Sequence, residues 1–362
     1  MKVGKYLCPP VFAVLGCVLA CIPVLAKATD GDISCETVAG IESICGLQAP
    51  EDLVVTPNGR DIIFGQFAER GNISVLDTHN HSVHTLYPGS DSRLAQTEFW
   101  GDASCVHPSA TFQPHGVDLS QRSDGRWQLL VVNHGGRESV EFFEVEFLVD
   151  ERPRLVWRGC AVAPAQGSFN DVAATPDDGF LVSNMGDIDY QMWQLFLLQF
   201  GIDSGYVYRW LPGEGFSKVS GTDGEMPNGV IVSPDGKSFY VNMYFGNEIR
   251  KYDLASGELL LTAEVDKPDN LSWTQSGTLL LASQHASLFP LMKSIFFKTP
   301  GPSMLPFSIY EIDPATMNKT LLVRRQGPPM GAGTVAVSVN GFLYIGSYVG
   351  DRMIKLALPK ES

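Results

Sequence analysis

Phe169-Asn170-Asp171-Val172-Ala173-Ala174-Thr175-Pro176-Asp177-Asp178-Gly179-Phe180-Leu181-Val182-Ser183-Asn184 reads as a short apolar strand, a tight Pro-Asp-Gly turn and a second apolar strand. Two polar residues, Asn170 and Asp171, stand at the head of the first strand. Five other stretches repeat the device, each anchored on a Ser or Thr that opens a turn: Glu51 to Gly59, His115 to Ser120, Asn228 to Gly236, Asp269 to Gly277 and Gly333 to Gly341. Apolar runs follow, such as Ile62-Ile63-Phe64, Phe239-Tyr240-Val241 and Leu343-Tyr344-Ile345. The copies lie roughly 40 to 65 residues apart, a period of propellers and solenoids. Strand pairs joined by tight turns, with no helical periodicity between most of them, favour a propeller. Six copies predict an all-β fold, a six-bladed β-propeller that fills residues 29–362 as a single domain.

The composition agrees. The 362 residues include 36 glycines and 23 prolines, which suits a chain of many turns. A net charge of −14 argues against a nucleic-acid partner and agrees with a protein that collects cations. Residues 1–28 read as a signal peptide: Lys2 and Lys5, an apolar run from Leu7 to Leu25, and small-residue cleavage sites at Val24-Leu25-Ala26 and Ala26-Lys27-Ala28. A retained anchor is the alternative. The expected location is therefore secreted or periplasmic, or membrane-associated through this segment. Cys35, Cys45, Cys105 and Cys160 remain, and an even number in an exported chain predicts up to two disulfides, with all three connectivities open.

Along the chain, residues 29–48 are expected to form an arm or outer strand that helps close the ring. Residues 138–148 read as an outer strand with one wet face. Tyr190 to Phe200 is apolar almost all round and predicts a short helical insert over the active-site face, packed on the sheet end, covering a pocket or facing a membrane. Residues 286–307 are also apolar but carry Pro290, Pro300, Pro302 and Pro306, so irregular structure is expected there.

The heads of the first strands carry the chemistry. Counting back five residues from each Ser or Thr anchor gives Glu51, His115, Asn170, Asn228, Asp269 and Gly333; counting back four gives Asp52, Gly116, Asp171, Gly229, Asn270 and Thr334. Strand starts that only build a core should be apolar. Equivalent positions in a propeller face the central tunnel at one depth, so these side chains should converge. Buried carboxylates without a partner are expensive. Glu51, Asn170, Asn228, Asp269 and Asn270 offer oxygen alone, the donor set of a hard cation, with a ring size that favours Ca²⁺ over Mg²⁺. Asp52 and Asp171, one step along, would hold a second cation deeper in the tunnel. The competing reading is a polar channel that binds only water. The second strands return to the same face, ending in Asn133-His134, Asn184 and Gln284-His285. His115, His134 and His285 should thus meet at the tunnel mouth, with Asn184 on the pocket wall.

These residues resemble the paraoxonases, calcium-dependent lactonases and arylesterases of the six-bladed propeller class. The matching stretches run in order from about residue 50 to the end: Pro50-Glu51-Asp52-Leu53, Pro114-His115-Gly116-Val117, Leu129 to His134, Phe169-Asn170-Asp171-Val172, Pro227 to Lys237, Pro268-Asp269-Asn270-Leu271 and Thr334-Val335-Ala336. The resemblance implies two calcium ions. Glu51, Asn170, Asn228, Asp269 and Asn270 match the ligands of a catalytic ion; Asp52 and Asp171, with a backbone carbonyl near Val117, match those of a structural one. His115 and His134 match a histidine dyad, and His285 a pocket-wall histidine. The helix expected at 190–200 falls where that family has an active-site helix that also docks on lipid, and its leader is sometimes retained as an anchor. The chain departs from the family in having no cysteine after Cys160, so a disulfide to the last strand is excluded. The inserts also differ, and with them the pocket.

The chemistry expected is hydrolysis of a hydrophobic lactone or aryl ester. The cation would polarise the carbonyl, His115 would take the proton of the attacking water, and His134 would relay it. No Gly-x-Ser-x-Gly elbow is present. The alternatives are a sugar-lactone hydrolase of the gluconolactonase type and a non-catalytic, calcium-stabilised binding propeller.

Overall fold

The computed structural model describes residues 35–359 apart from 91, 149–151, 166, 188–196 and 297–300. The leader at 1–28 and most of the helix expected at 190–200 lie outside the described residues. Ile33–Ser362 forms one compact unit.

The strands assemble into six sheets, one per repeat, antiparallel and laid down in chain order from the axis outward except for an added outermost strand, taken from earlier in the chain, in two of them. Blade one runs from β2 (Pro50–Val55) to β5 (Val83–Tyr87), blade two from β7 (Pro114–Gln121) to β10 (Arg154–Val162), and blade three from β11 (Gly167–Ala174) to β14 (Gly215–Lys218). Blade four runs from β15 (Pro227–Val232) to β18 (Leu259–Glu264), blade five from β19 (Pro268–Trp273) to β22 (Lys319–Arg325), and blade six from β23 (Gly333–Val339) to β25 (Arg352–Ala357). The predicted six-bladed propeller is therefore the fold.

The ring closes by strand pairing. β1 (Glu42–Cys45) runs antiparallel to β25, from Glu42 opposite Lys355 to Cys45 opposite Arg352, and so supplies the fourth strand of blade six. This is the arm expected at 29–48. The two disulfides do not bridge this joint. Cys35–Cys45 closes a loop within the arm, and Cys105–Cys160 pins the segment before β7 to the outer strand β10.

Apolar faces pack blade against blade. One cluster joins Phe142 of blade two to Phe169, Phe180 and Trp210 of blade three; another joins Tyr240 of blade four to Leu271 and Leu281 of blade five. Burying each large side chain contributes about 2–3 kcal/mol. No blade has a core of its own, so the ring stands or falls together.

Two expectations are corrected. Residues 138–148 do not form an outer strand with a wet face: β9 (Ser139–Glu146) lies between β8 (Trp127–Asn133) and β10, and its first five residues are buried. A further short strand, β6 (Arg93–Leu94), pairs parallel beyond β10. Residues 286–307 are not irregular throughout, because α1 (Leu288–Phe296) is a helix. Pro290 falls in its first turn, where the missing N–H has no intrahelical partner to lose, and the other three prolines come after its end. Of the helix expected at 190–200, Leu198–Phe200 forms a 3₁₀ turn. Among the described residues no helix is long and apolar enough to cross a membrane.

Candidate active site

The six inner strands share one irregularity. In each, the ladder with the second strand skips at the head: between Pro50 and Leu53, Pro114 and Val117, Phe169 and Val172, Pro227 and Val230, Pro268 and Leu271, and Gly333 and Val335. The residues passed over include both ring positions of every blade but the sixth, where Thr334 alone is skipped. A bulge frees a residue from the regular alternation of sides and re-aims its side chain. This is why polar residues at strand heads reach the axis. Four heads are also preceded by a non-glycine residue in the left-handed region: Ala49, Met226 and Lys267, two residues before Glu51, Asn228 and Asp269, and Ala332, directly before Gly333.

Glu51, Asn170, Asn228 and Asp269 line one cavity of about 160 Å³, with His115 at its side. Asn270 joins them by donating from Nδ2 to Glu51 Oε1 at 2.7 Å. The three amides are tied alike. Asn170 Nδ2 lies 3.5 Å from Met185 Sδ, and the Asn228 amide donates to Asp269. Their oxygens are left over. Asn170 Oδ1, Asn228 Oδ1, Asn270 Oδ1 and Glu51 Oε2 are buried without a hydrogen-bond partner. One such orphan costs about 1–3 kcal/mol. Four acceptors from four different blades, three of them on amides that each already donate a bond, could together hold a cation. The donors are hard oxygens, which suits calcium. Among the described residues no three His, Cys, Asp or Glu side chains group as a metal site; the cage mixes two carboxylates with amides.

Charge points the same way. Burial, then repulsion from Asp269, Asp52 and Asp171, pushes Glu51 well above the usual carboxylate range. Burial raises Asp269 to about 8 against hydrogen bonds from Gln284 and Asn228. A bound cation would relieve both.

Beneath this layer lies a second. Asp52 Oδ2 accepts the Val117 N–H at 2.7 Å and Oδ1 the Leu53 N–H at 2.9 Å. Asp171 Oδ2 accepts the Val230 N–H and Oδ1 the Val172 N–H, both at 2.8 Å. Each aspartate thus clasps the next blade by its backbone. Burial raises Asp52 to about 7, and burial together with repulsion from Asp52 pushes Asp171 well above the usual carboxylate range. Gly116 and Gly229 alternate with them for lack of room: a Cβ at Gly116 would stand 2.4 Å from Asp171 Oδ1, and one at Gly229 2.4 Å from the Asp269 carbonyl oxygen. Val117, whose carbonyl was expected among the ligands of a second ion, lines this cavity and meets Asp52 through its N–H. Sequence reasoning missed Asp118, which lines the same 190 Å³ cavity as Asp52 and Asp171, is raised by burial to about 6, and accepts the Ala174 N–H at 3.2 Å. It sits inside a regular strand, where a lone polar residue reads as a wet-face position.

The histidine pair is assembled as expected. His115 Nδ1 lies 2.9 Å from His134 Nε2, and His115 Nε2 lies 3.8 Å from Glu51 Oε1. Phe67 stacks on His115 with ring centres 4.4 Å apart. Burial, then the neighbouring His134, holds the His115 imidazole well below its usual range, so it stands neutral, with a ring nitrogen open to a proton. His134 Nδ1 lies 2.7 Å from Glu138 Oε2, a partner that sequence reasoning also missed.

His285 and Asn184 do not line the cavity. His285 Nδ1 faces Asp266 Oδ2 at 3.0 Å and Nε2 faces Ser308 Oγ at 2.8 Å. The chain Asp266–His285–Ser308 has the spacing of a nucleophilic triad, but Ser308 is fully buried and the carboxylate is the exposed end, the reverse of what attack needs. Asn184 Oδ1 accepts the Ser168 N–H at 2.8 Å and so fastens the head of β11, as Asn133 fastens the head of β7 by accepting the Gln113 N–H. The wall is apolar instead: Met185, Met226, Phe245, and Leu291 from α1. Tyr348, also in the wall, donates to Ser294 Oγ of α1 at 2.8 Å and ties the helix to blade six.

Comparison with known proteins places this site among relatives. The arylesterase family model matches residues 101–353, more than half of the chain. Serum paraoxonase/arylesterase 1 of Rattus norvegicus is 26% identical over 323 residues, covering 87% of this chain and 86% of that protein. The Homo sapiens protein of the same name is 26% identical over 224 residues, covering 61% of this chain and 59% of the relative. A solved structure described as a putative gluconolactonase superposes with a TM-score of 0.51 over 90% of this chain and 95% of its own, at 15% identity, which speaks to the fold.

Proposed function

The chain belongs to the arylesterase family, and from that premise we propose that it is a calcium-dependent hydrolase of lactones and aryl esters in which water is activated by His115. The observation that carries this reading is the set of four orphaned buried oxygens, three of them on residues that line the cavity His115 also lines and the fourth on Asn270, which is bonded to Glu51.

Glu51, Asn170, Asn228, Asp269 and Asn270 would hold one calcium ion, which when bound supplies positive charge to the carbonyl oxygen of the substrate. Asp52 and Asp171, with the Val117 backbone, would hold a second, structural ion; there the support is the repulsion between two buried carboxylates rather than orphaned oxygens. The chain's own groups do the rest. His115 Nε2, on the cavity side of its ring, takes the proton of the attacking water. His134 receives the proton that His115 gives up from Nδ1. Phe67 holds the ring in place and excludes bulk water from one face. Met185, Met226, Phe245 and Leu291 present apolar surface to the acyl or ring portion. That lining disfavours a sugar lactone, whose hydroxyls would find few partners.

Two disulfides support an oxidising compartment and hence export. We also propose contact with a lipid surface. Phe200 and Phe289 are 67% and 80% exposed on the two inserts whose Leu198 and Leu291 pack in one cluster.

The test is hydrolysis of a panel of aliphatic lactones and aryl acetates by the purified chain, with EDTA and after return of calcium. Activity abolished by the chelator and restored by calcium is expected. Turnover indifferent to EDTA would remove calcium from the mechanism, and no turnover on any member would leave a binding propeller.

A further inference from the structure

Glu138 uses both of its carboxylate oxygens. Oε2 meets His134 Nδ1 at 2.7 Å, and Oε1 accepts the Phe169 N–H at 2.6 Å. Its side chain is 10% exposed, so water is a poor substitute for either partner. A carboxylate oxygen accepts and does not donate. His134 must therefore carry its hydrogen on Nδ1, and a neutral imidazole with one hydrogen then has a bare Nε2. That bare nitrogen lies 2.9 Å from His115 Nδ1, so His115 in turn carries its hydrogen on Nδ1. His115 Nε2 is left bare, and this is the nitrogen that points toward Glu51.

We infer that Glu138 is the positioning residue of the histidine relay: it sets the tautomers of His134 and His115 in series, so that the proton-accepting lone pair faces the cavity. Its second oxygen holds the backbone one residue before Asn170, so the same side chain registers the relay against the oxygen cage. When His115 Nε2 takes a proton, the Nδ1 hydrogen passes to His134 Nε2. His134 then bears hydrogens on both nitrogens, and the positive charge comes to rest beside the Glu138 carboxylate. The chain of three groups gains one proton, the one that the attacking water loses to become the nucleophile.

The inference rests on the hydrolase reading for its consequence, but its structural content is independent of it. Glu138→Gln is nearly isosteric and has one acceptor where glutamate has two. The Phe169 N–H cannot change sign, so the amide oxygen turns to it and the NH₂ group faces His134 Nδ1. That nitrogen must then be bare, His134 Nε2 gains the hydrogen, and His115 Nε2 does as well. The base is capped. Glu138→Ala imposes no tautomer and leaves a mixture.

The experiment pairs ¹⁵N-histidine NMR of the calcium-loaded full chain with hydrolysis of phenyl acetate. In the wild type, the His115 Nε2 resonance should be that of a bare nitrogen, and in Glu138→Gln that of an N–H. Turnover should fall by about 100-fold in Glu138→Gln and only about tenfold in Glu138→Ala, with KM nearly unchanged. A purely structural role predicts the opposite order, because alanine leaves the larger void. An unchanged His115 tautomer in Glu138→Gln, or a glutamine variant more active than the alanine one, would overturn the assignment. If the wild type hydrolyses nothing, the hydrolase reading fails, and the nitrogen resonances alone decide the role of Glu138.

Discussion

The strand heads send two layers of side chains to the axis, and the layers are bonded in opposite ways. In the upper layer, the amides of Asn170, Asn228 and Asn270 donate to Met185, Asp269 and Glu51, and each of the three, like Glu51, keeps one buried oxygen without a partner. In the lower layer, every oxygen of Asp52 and Asp171 accepts a backbone N–H, one from its own blade and one from the next. The upper layer is an open ligand set; the lower layer is a joint between blades. The same bulge builds both. Both layers line a cavity; what separates them is that the lower carboxylates are also met by backbone amides of their own and the next strand, and the upper oxygens are not.

The contrast breaks most sharply at Glu51. Glu51→Gln removes a charge that the fold holds against burial, so kcat/KM should fall at least about 100-fold while the melting temperature of the chelated protein stays level or rises. Calorimetric calcium titration should show weakened binding alongside. A chelated protein that unfolds much earlier would mean that the upper layer is a joint too. Asp52→Asn should show the converse. Its amide can accept only one of two N–H groups, which costs about 1–3 kcal/mol, read as a lower midpoint in denaturant, with hydrolysis kept in the folded fraction at saturating calcium.

A third prediction concerns pH. Burial raises Asp52 from the usual 3.8 to about 7 and Asp269 to about 8. A raised acid means that the folded state binds more protons than the unfolded one, so this stabilisation is complete below about pH 4 and is lost as pH rises through 7 and 8. The melting temperature of the chelated protein should therefore fall from pH 4 toward 8. Calcium held by these carboxylates would compete with the protons, so the loaded protein should lose less or gain over the same range. Parallel curves with and without calcium would show that no ion meets these carboxylates. The smallest effect lies at Ala49, held at φ 49° before the Glu51 head. Ala49→Gly should add about 0.5–1 kcal/mol by relieving left-handed strain, without change in turnover.

Much of the ring was legible because a propeller repeats. Glu51, Asn170, Asn228, Asp269 and Asn270 stand out at strand heads where a core would want apolar residues, and the period says that they meet. The same reasoning misplaced His285 and Asn184. Ends of second strands are equivalent by count, but whether one turns to the axis or to its neighbour depends on which groups it finds: Asp266 and Ser308 capture His285, and the Ser168 N–H captures Asn184. Glu138 was hidden for a related reason. Nothing in a loop residue four places after His134 announces that its second oxygen will meet the head of the next blade. The proline-rich insert misled by number alone, since only position within α1 decides whether Pro290 is tolerated.

The sequence by itself determined the number of blades, the depth at which polar side chains enter the tunnel, and the hard-oxygen character of the ring, because periodic turns and residue types are local properties of the chain. Only the tertiary structure decided which oxygens stay free, which histidines meet, and that a carboxylate closes the relay. Those facts are settled by a few ångströms between different blades, where each donor or acceptor is assigned by competition among neighbours that no spacing along the chain records.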